Sequence, residues 1–441
     1  MRKAVAQTLA VEVLAIPIGM ATGILTARYL GPADRGLLTL LLLLPRTITV
    51  FGNVGIDTAS IYLHRREGIG LGVLLWNGVA YTLALSGIAA AVLWHWRDAI
   101  LGTFVSQTNY LYVLIPVLTV PFVFALQLTG ALARATGDFS TYNRRMLLEK
   151  VLGLVGVLFV CTVVAGTVTQ LLLVFLAIPA LVTAWLLWDL RRLIGIERPD
   201  LPVLRRTLTF GVKSYLQNLS SHIHNRIDLY LVAAYLTNAE LAFYSIGASL
   251  AERILMIPNA LGMVLYPKLV ASTPSDGAHL TARAARNTVI FGIATGLPVL
   301  VLGRWLIQLL YGSAYLDAVV PMYILIVGVL FIGVTRILLR YMTSVDKHQY
   351  NVVIVAGAAV VNVALNFALI PRFGIRGAAL SSLLTYTLQS VLALYCFRAI
   401  TGISPLDCLV PKLGDVRHLV RVFRETRVSG RKQPATSVSR A

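Results

Sequence analysis

The 441 residues are 57% hydrophobic and only 13% charged, with a formal net charge of +19 and a mean hydropathy of +0.78. A soluble domain carries about 25% charged residues, so this composition excludes one. The basic excess does not build a nucleic-acid surface, because it is spread over short loops between apolar stretches.

Those stretches number about twelve, each roughly 20 residues long, the length a helix needs to cross a bilayer. They are predicted near 8–27, 37–57, 70–93, 110–133, 147–165, 168–188, 208–234, 240–266, 287–309, 319–341, 351–370 and 376–398. With both termini in the cytoplasm, the inner segments hold 27 of the 38 Lys and Arg residues. The outer segments hold six: Arg28, Arg35, Arg97, Arg304, Arg372 and Arg376. This positive-inside bias orients an all-α, multi-pass protein of the cell (inner or plasma) membrane with both ends inside. It also sets the basic loops against anionic lipid headgroups.

The first span follows Arg2 and Lys3 as a secretory signal would, but Glu12 interrupts the run and apolar character persists to Ala27. An uncleaved span is expected. The second span carries Pro45 and Arg46 near its middle, and the proline removes a backbone hydrogen bond and bends the helix. Asp57 closes that span toward the cytoplasm. The third to sixth spans supply no candidate. Residues 189–206 (DLRRLIGIERPDLPVLRR) then form the most polar internal loop. It divides the chain into 1–188, a linker at 189–206, 207–398, and a basic tail at 399–441.

A faint internal repeat agrees with that division. Ala27-Arg28-Tyr29-Leu30 resembles Ala233-Ala234-Tyr235-Leu236, and Asp138 with Tyr142-Asn143 resembles Asp346 with Tyr350-Asn351, at offsets of 206 and 208. Six-span halves enter the membrane in the same sense, so a pseudo-symmetry axis along the membrane normal is expected.

The seventh span is the most polar. At 100° per residue, Lys213, Gln217, Ser220, His224 and Asp228 share a stripe about 80° wide, suited to a hydrated cavity or to gluing helices together. Arg226 and His222 point off it, toward another helix. The eighth span holds Glu252 and Arg253 near mid-depth. Arg336, nearer the cytoplasmic end of the tenth, is expected to snorkel. In the tail, residues 416–427 segregate Arg417, Arg421 and Arg424 from Val416, Leu419, Val420 and Phe423, as a helix lying on an anionic leaflet would; a solvated tail reads equally well. Residues 429–441 lack apolar content and are expected to be disordered.

A charge at the centre of a span costs about 2.5–3.5 kcal/mol, so it faces a partner or water. Guanidinium suits phosphate because its fork donates two hydrogen bonds. Arg46, Lys213, Gln217, His224, Arg226 and Arg253 are therefore candidate cavity residues for an anionic cargo, and Asp228 and Glu252 are candidates for ion coupling. Pairing between helices is the competing explanation for each. No nucleotide-phosphate, zinc or nucleophile-elbow motif appears, so no catalytic residue, cofactor or metal is expected. Cys161, Cys396 and Cys408 have no ligand spacing.

Several segments resemble one family. ARYLGPADRG (27–36) looks like the RYLGPxxxG signature of polysaccharide-transport flippases, as does LIPRFGIRGAALSSLL (369–384) with Asn362 and Asn366 upstream. The run from Asp228 through Tyr244 and Pro258 to Pro267-Lys268 resembles the family's spans seven and eight, and LLYGSAYLDAVVP (309–321) resembles its outer loop between spans nine and ten. The family is the Wzx-like exporters of the multidrug/oligosaccharidyl-lipid/polysaccharide superfamily. The resemblance implies two six-helix bundles around a central cavity. It also implies a cargo of polyprenyl-diphosphate-linked glycan moved from inner to outer leaflet, with a glycan polymerase or glycosyltransferases as partners. Arg46 matches a basic family position in span two only approximately. A cation-coupled drug exporter of the same superfamily, relying on Asp228, is the alternative; a scaffold for glycan assembly is the third reading.

Overall fold

The computed structural model describes residues 2–102, 109–191, 195, 197–412 and 414–415; the side chains of residues 2–6, 9, 100, 190, 213, 214 and 216–225 are outside that description. The helices run in chain order: α1 (Arg2–Asn53), α2 (Ile56–Glu67), α3 (Leu71–His95), α4 (Arg97–Ile100), α5 (Leu111–Thr136), α6 (Phe139–Phe159) and α7 (Val168–Leu190). They continue with α8 (Leu201–Tyr235), α9 (Asn238–Glu252), α10 (Met256–Ala271), α11 (Pro274–Tyr311), α12 (Val319–Ser344), α13 (His348–Thr401) and α14 (Pro405–Leu409). No strand occurs among the described residues.

Nine helical stretches among the described residues are long and apolar enough to cross a membrane. The chain is a multi-pass helical membrane protein. Two of the nine are broken within. α1 leaves helical geometry at Gly31 (φ 73°, ψ 175°) and α13 at Gly374 (φ 58°, ψ −140°). Glycine reaches positive φ without a Cβ clash, so each break divides a continuous run into two helices of membrane length. α8, at 35 residues, is also long enough but is not among the nine. It carries Arg205, Arg206, Lys213, Arg226 and Asp228.

Local signals set the ends. Asp138 follows the left-handed Gly137 and accepts the Thr141 amide at 3.0 Å, capping α6. Thr167 and Gln170 form a capping box at α7. Asp200 caps α8 through Val203 N at 3.1 Å. The buried Asn77 of α3 pins that same residue, with its Nδ2 donating to Asp200 O at 2.9 Å and its Oδ1 accepting from Asp200 N at 2.7 Å.

The chain packs as two compact units. The first comprises Met1–Gly247, Arg304–Pro321 and Val363–Ala379; the second comprises Ala248–Gly303, Met322–Asn362 and Leu380–Ala441. In the first, Leu37, Leu38, Leu41, Tyr112 and Leu171 form one core cluster. Ile56, Leu63, Leu74, Phe124 and Leu128 form another. Arg28 in this unit donates from Nε to Leu310 O at 2.8 Å and from Nη2 to Leu309 O, and Tyr315 Oη donates to Ala27 O at 2.6 Å.

The second unit is centred on Leu265, Ala282, Ile337, Tyr341 and Phe397. The chain after α13 folds back onto this core: Cys408 of α14 is fully buried, and burial pushes its thiol up to about 11, leaving it protonated and inert at neutral pH. Arg286 of α11 fastens the segment, donating to both oxygens of Asp415 at 2.5 and 3.1 Å and to Asp407 O at 2.5 Å. Those bonds hold the Asp415 carboxyl below the usual carboxylate range. The amphipathic stretch expected at 416–427 lies outside the described residues. Large apolar side chains stay exposed, including Leu309 at 72% and Val353 at 71%; lipid is the solvent that suits them.

Candidate functional site: charges at membrane depth

The second half of α1 is the backbone of the site. Pro45 has no amide hydrogen to give to the preceding turn, and Thr49 Oγ1 donates to the Pro45 carbonyl at 2.6 Å. Three tyrosines fasten neighbouring helices to carbonyls on this half. From α8, Tyr215 Oη donates to Val50 O, and Tyr230 Oη donates to Leu43 O at 3.1 Å and Thr47 Oγ1 at 2.5 Å. From α3, Tyr81 Oη donates to Gly52 O at 2.8 Å. Gly55 and Gly211 let α8 approach closely, since a Cβ on either would fall 2.3 Å from the other side's backbone oxygen.

Arg46 follows Pro45 on this rigid frame. It is exposed, and among the described residues it makes no hydrogen bond and no ion pair. The charged groups acting on it are Glu149 of α6 and Arg226 of α8. Glu149 is already engaged, by Arg145 at 3.2 Å and Lys150 at 3.7 Å. The half-buried Arg226 adds a second guanidinium. Arg46 thus lies within electrostatic reach of one acid, already shared with two bases, and of one further arginine.

Asp228 has a different setting. It is 8% exposed, and its carboxylate accepts the hydroxyl of the fully buried Tyr244 at 2.5 Å. Glu252 and Arg253 belong to the second unit, where Arg253 opens a single 3-10 turn (Arg253–Leu255) between α9 and α10. Both are half-buried, and Arg253 makes no hydrogen bond or ion pair among the described residues. Arg336, expected to snorkel, donates from Nη1 to Asn259 Oδ1 at 2.8 Å. Arg46, Arg226 and Asp228 all belong to the first unit, and Arg226 acts electrostatically on Arg46. The side chains of Lys213, Gln217 and His224 lie outside the described residues, as do those of Ser220 and His222. No group of three or more His, Cys, Asp or Glu able to hold a metal occurs among the described residues.

Sequence reasoning passed over Glu149, Tyr215 and Tyr230, and named Tyr244 only within a family-like run. A signal existed for Glu149, which sits one helical turn after Arg145 at a spacing that favours an ion pair. The tyrosines carried none, because their role is set by which carbonyl each reaches.

A family model described as polysaccharide biosynthesis protein matches residues 25–320. The chain belongs to this family. The matched region of this family member includes Arg46, the whole of α8, Glu252 and Arg253. It is 24% identical over 206 residues to the probable flippase AglR of Haloferax volcanii, covering 44% of this chain and 42% of that one. The chain thus spans less than half the length of the curated relatives it matches. Its fold is similar to lipid II flippase MurJ in an inward closed conformation, with a TM-score of 0.77, 13% identity, and coverage of 95% and 92% of the two chains. It is also similar to an inward-facing multidrug resistance MATE transporter of the MOP superfamily, with a TM-score of 0.71, 14% identity, and coverage of 89% and 94%. These two likenesses establish the helical transporter-type fold of the family member.

Proposed function

We propose that this chain is a flippase moving polyprenyl-diphosphate-linked oligosaccharide from the inner to the outer leaflet of the cell membrane. The reading is carried by Arg46, a mid-span guanidinium that has no hydrogen bond or ion pair among the described residues and lies near Arg226 and Glu149. An unpaired charge at that depth is costly, and a diphosphate arriving from the leaflet would offset the cost through a bidentate contact. Family membership and the name of the Haloferax relative support a glycan-related cargo. Twelve crossings in two six-helix bundles, with Lys213, Gln217, His224, Arg226 and Arg253 completing the cavity, would let the bundles rock about the headgroup while the polyprenyl tail stays in lipid. Both termini then lie in the cytoplasm, and a polymerase or glycosyltransferase would receive or supply the glycan.

The test is leaflet exchange of undecaprenyl-diphosphate-linked sugar in reconstituted vesicles. Replacing one charge-assisted contact costs about 1.5–3 kcal/mol, so Arg46→Ala is expected to slow exchange about 10- to 100-fold, with Arg46→Lys between. Exchange at the wild-type rate in Arg46→Ala removes the assignment. The buried Asp228–Tyr244 pair favours a second reading, a cation-coupled exporter in which Asp228 takes up the coupling ion with Glu252 nearby in sequence. That reading requires drug efflux that disappears in Asp228→Asn and no glycolipid exchange.

A further inference from the structure

A cavity of about 550 Å³ opens in the first unit against α2 and the end of α5, not against the helix that carries Arg46, and is lined by Asp57, Thr58, Tyr62, Arg65, Arg66 and Arg134. We infer that it is a diphosphate-binding site at the cytoplasmic mouth, which captures the cargo headgroup before it reaches Arg46. The inference rests on the flippase reading and deepens it.

Three arginines meet here, and none has a carboxylate within ion-pair distance among the described residues. Arginines of neighbouring cytoplasmic segments are paired: Arg144 with Asp189 at 3.7 Å, Arg145 with Glu149 at 3.2 Å, and Arg206 with Glu67 at 2.9 Å. Two of the three are nonetheless held in place. Arg65 donates from Nε to Ala135 O at 3.0 Å and from Nη2 to Arg134 O at 3.1 Å, satisfying carbonyls at the end of α5 and keeping Nη1 in reserve. Arg134 donates from Nε to Gly130 O at 3.4 Å and lies over the Tyr142 ring at 5.2 Å, with both Nη groups uncommitted. Fixed guanidiniums lose little side-chain freedom when an anion arrives.

The rest of the lining separates a sugar-bearing headgroup from bulk phospholipid. A basic loop would meet the anionic leaflet anywhere along its length, whereas these arginines border one open recess together with Asp57 and Tyr62. It also contains a carboxylate. Asp57 is held by Asn53 Nδ2 at 2.8 Å, and Asn53 in turn contacts Gln127 Oε1 at 3.3 Å. Such a carboxylate repels phosphate but accepts hydroxyl donors, which a sugar next to a diphosphate supplies. Tyr62, stacked on Phe210 at 4.3 Å and 16°, gives one wall a fixed face.

The experiment measures binding of undecaprenyl diphosphate, inorganic pyrophosphate and phosphatidylglycerol to the full chain in phosphatidylcholine nanodiscs. The double variant Arg66→Gln/Arg134→Gln is expected to bind undecaprenyl diphosphate at least about tenfold more weakly, and Arg66→Lys/Arg134→Lys to keep most of the affinity. Arg66→Gln alone, at an exposed position without a structural contact, should show part of the loss if the double variant fails to fold. Undiminished binding in both Gln variants overturns the inference. Displacement by phosphatidylglycerol at equal concentration assigns the site to bulk lipid, and wild-type pyrophosphate binding as tight as that of the lipid assigns it to a free anion; either result overturns headgroup capture. Wild-type chain with no affinity for undecaprenyl diphosphate sinks the flippase reading itself, a different outcome from affinity that survives loss of Arg66 and Arg134. Arg46→Ala should still bind at the mouth while failing to exchange.

Discussion

Arg46 and Arg286 both sit on long helices, and the structure treats them in opposite ways. Arg286 is 8% exposed and spends its guanidinium on Asp415 and a backbone carbonyl, so it fastens the chain after α13 onto the second unit. Arg46 is exposed, makes no hydrogen bond or ion pair among the described residues, and is held only through the frame around Pro45. One arginine contributes to folding and the other costs it something. Positive charge in this protein therefore divides by partner rather than by depth.

The largest effect should come from breaking the paired side. Arg286→Ala leaves the buried Asp415 carboxylate with only the Lys412 amide at 3.1 Å and the half-exposed Arg283 at 3.9 Å, a loss of two charge-assisted bonds worth about 3 kcal/mol, so the melting temperature in detergent should fall well below wild type. Arg46→Ala removes a charge that costs folding, so its melting temperature should equal or exceed wild type while most exchange is lost; equal destabilisation by the two would erase the contrast. Acid probes the same pair. Because Asp415 is held below its unfolded value, its contribution is complete above about pH 4 and is lost as pH falls through the folded value. Asp415→Asn should remove that acid step from the stability profile.

Smaller effects mark ordinary structure. Asp138→Ala removes the α6 cap and should cost about 1 kcal/mol in thermal unfolding. Breaking the Arg206–Glu67 pair with Glu67→Gln should cost under about 1 kcal/mol, diminishing further in high salt.

The spans were legible because lipid imposes a strict demand on length and polarity. The break at Gly31 falls within the family-like ARYLGPADRG segment. The Arg286–Asp415 clamp was not legible, since its partners are 129 residues apart and the tail reads simply as basic. Nor was the enclosure of Asp228: helical periodicity placed it on a polar stripe, but Tyr244 comes from the next helix and closes over it. The cavity lined by Arg65, Arg66 and Arg134 was hidden for the same reason, because the first two end α2 and the third ends α5, two spans later. Periodicity reports which way a side chain faces along its own helix; it does not report who meets it there.

The grip of Arg28 on the carbonyls of Leu309 and Leu310 is lopsided in a useful way. Every amino acid brings a carbonyl, so positions 309 and 310 are free to drift in side chain without loosening the hold. Control of that fastening belongs to a single codon, the one that specifies Arg28.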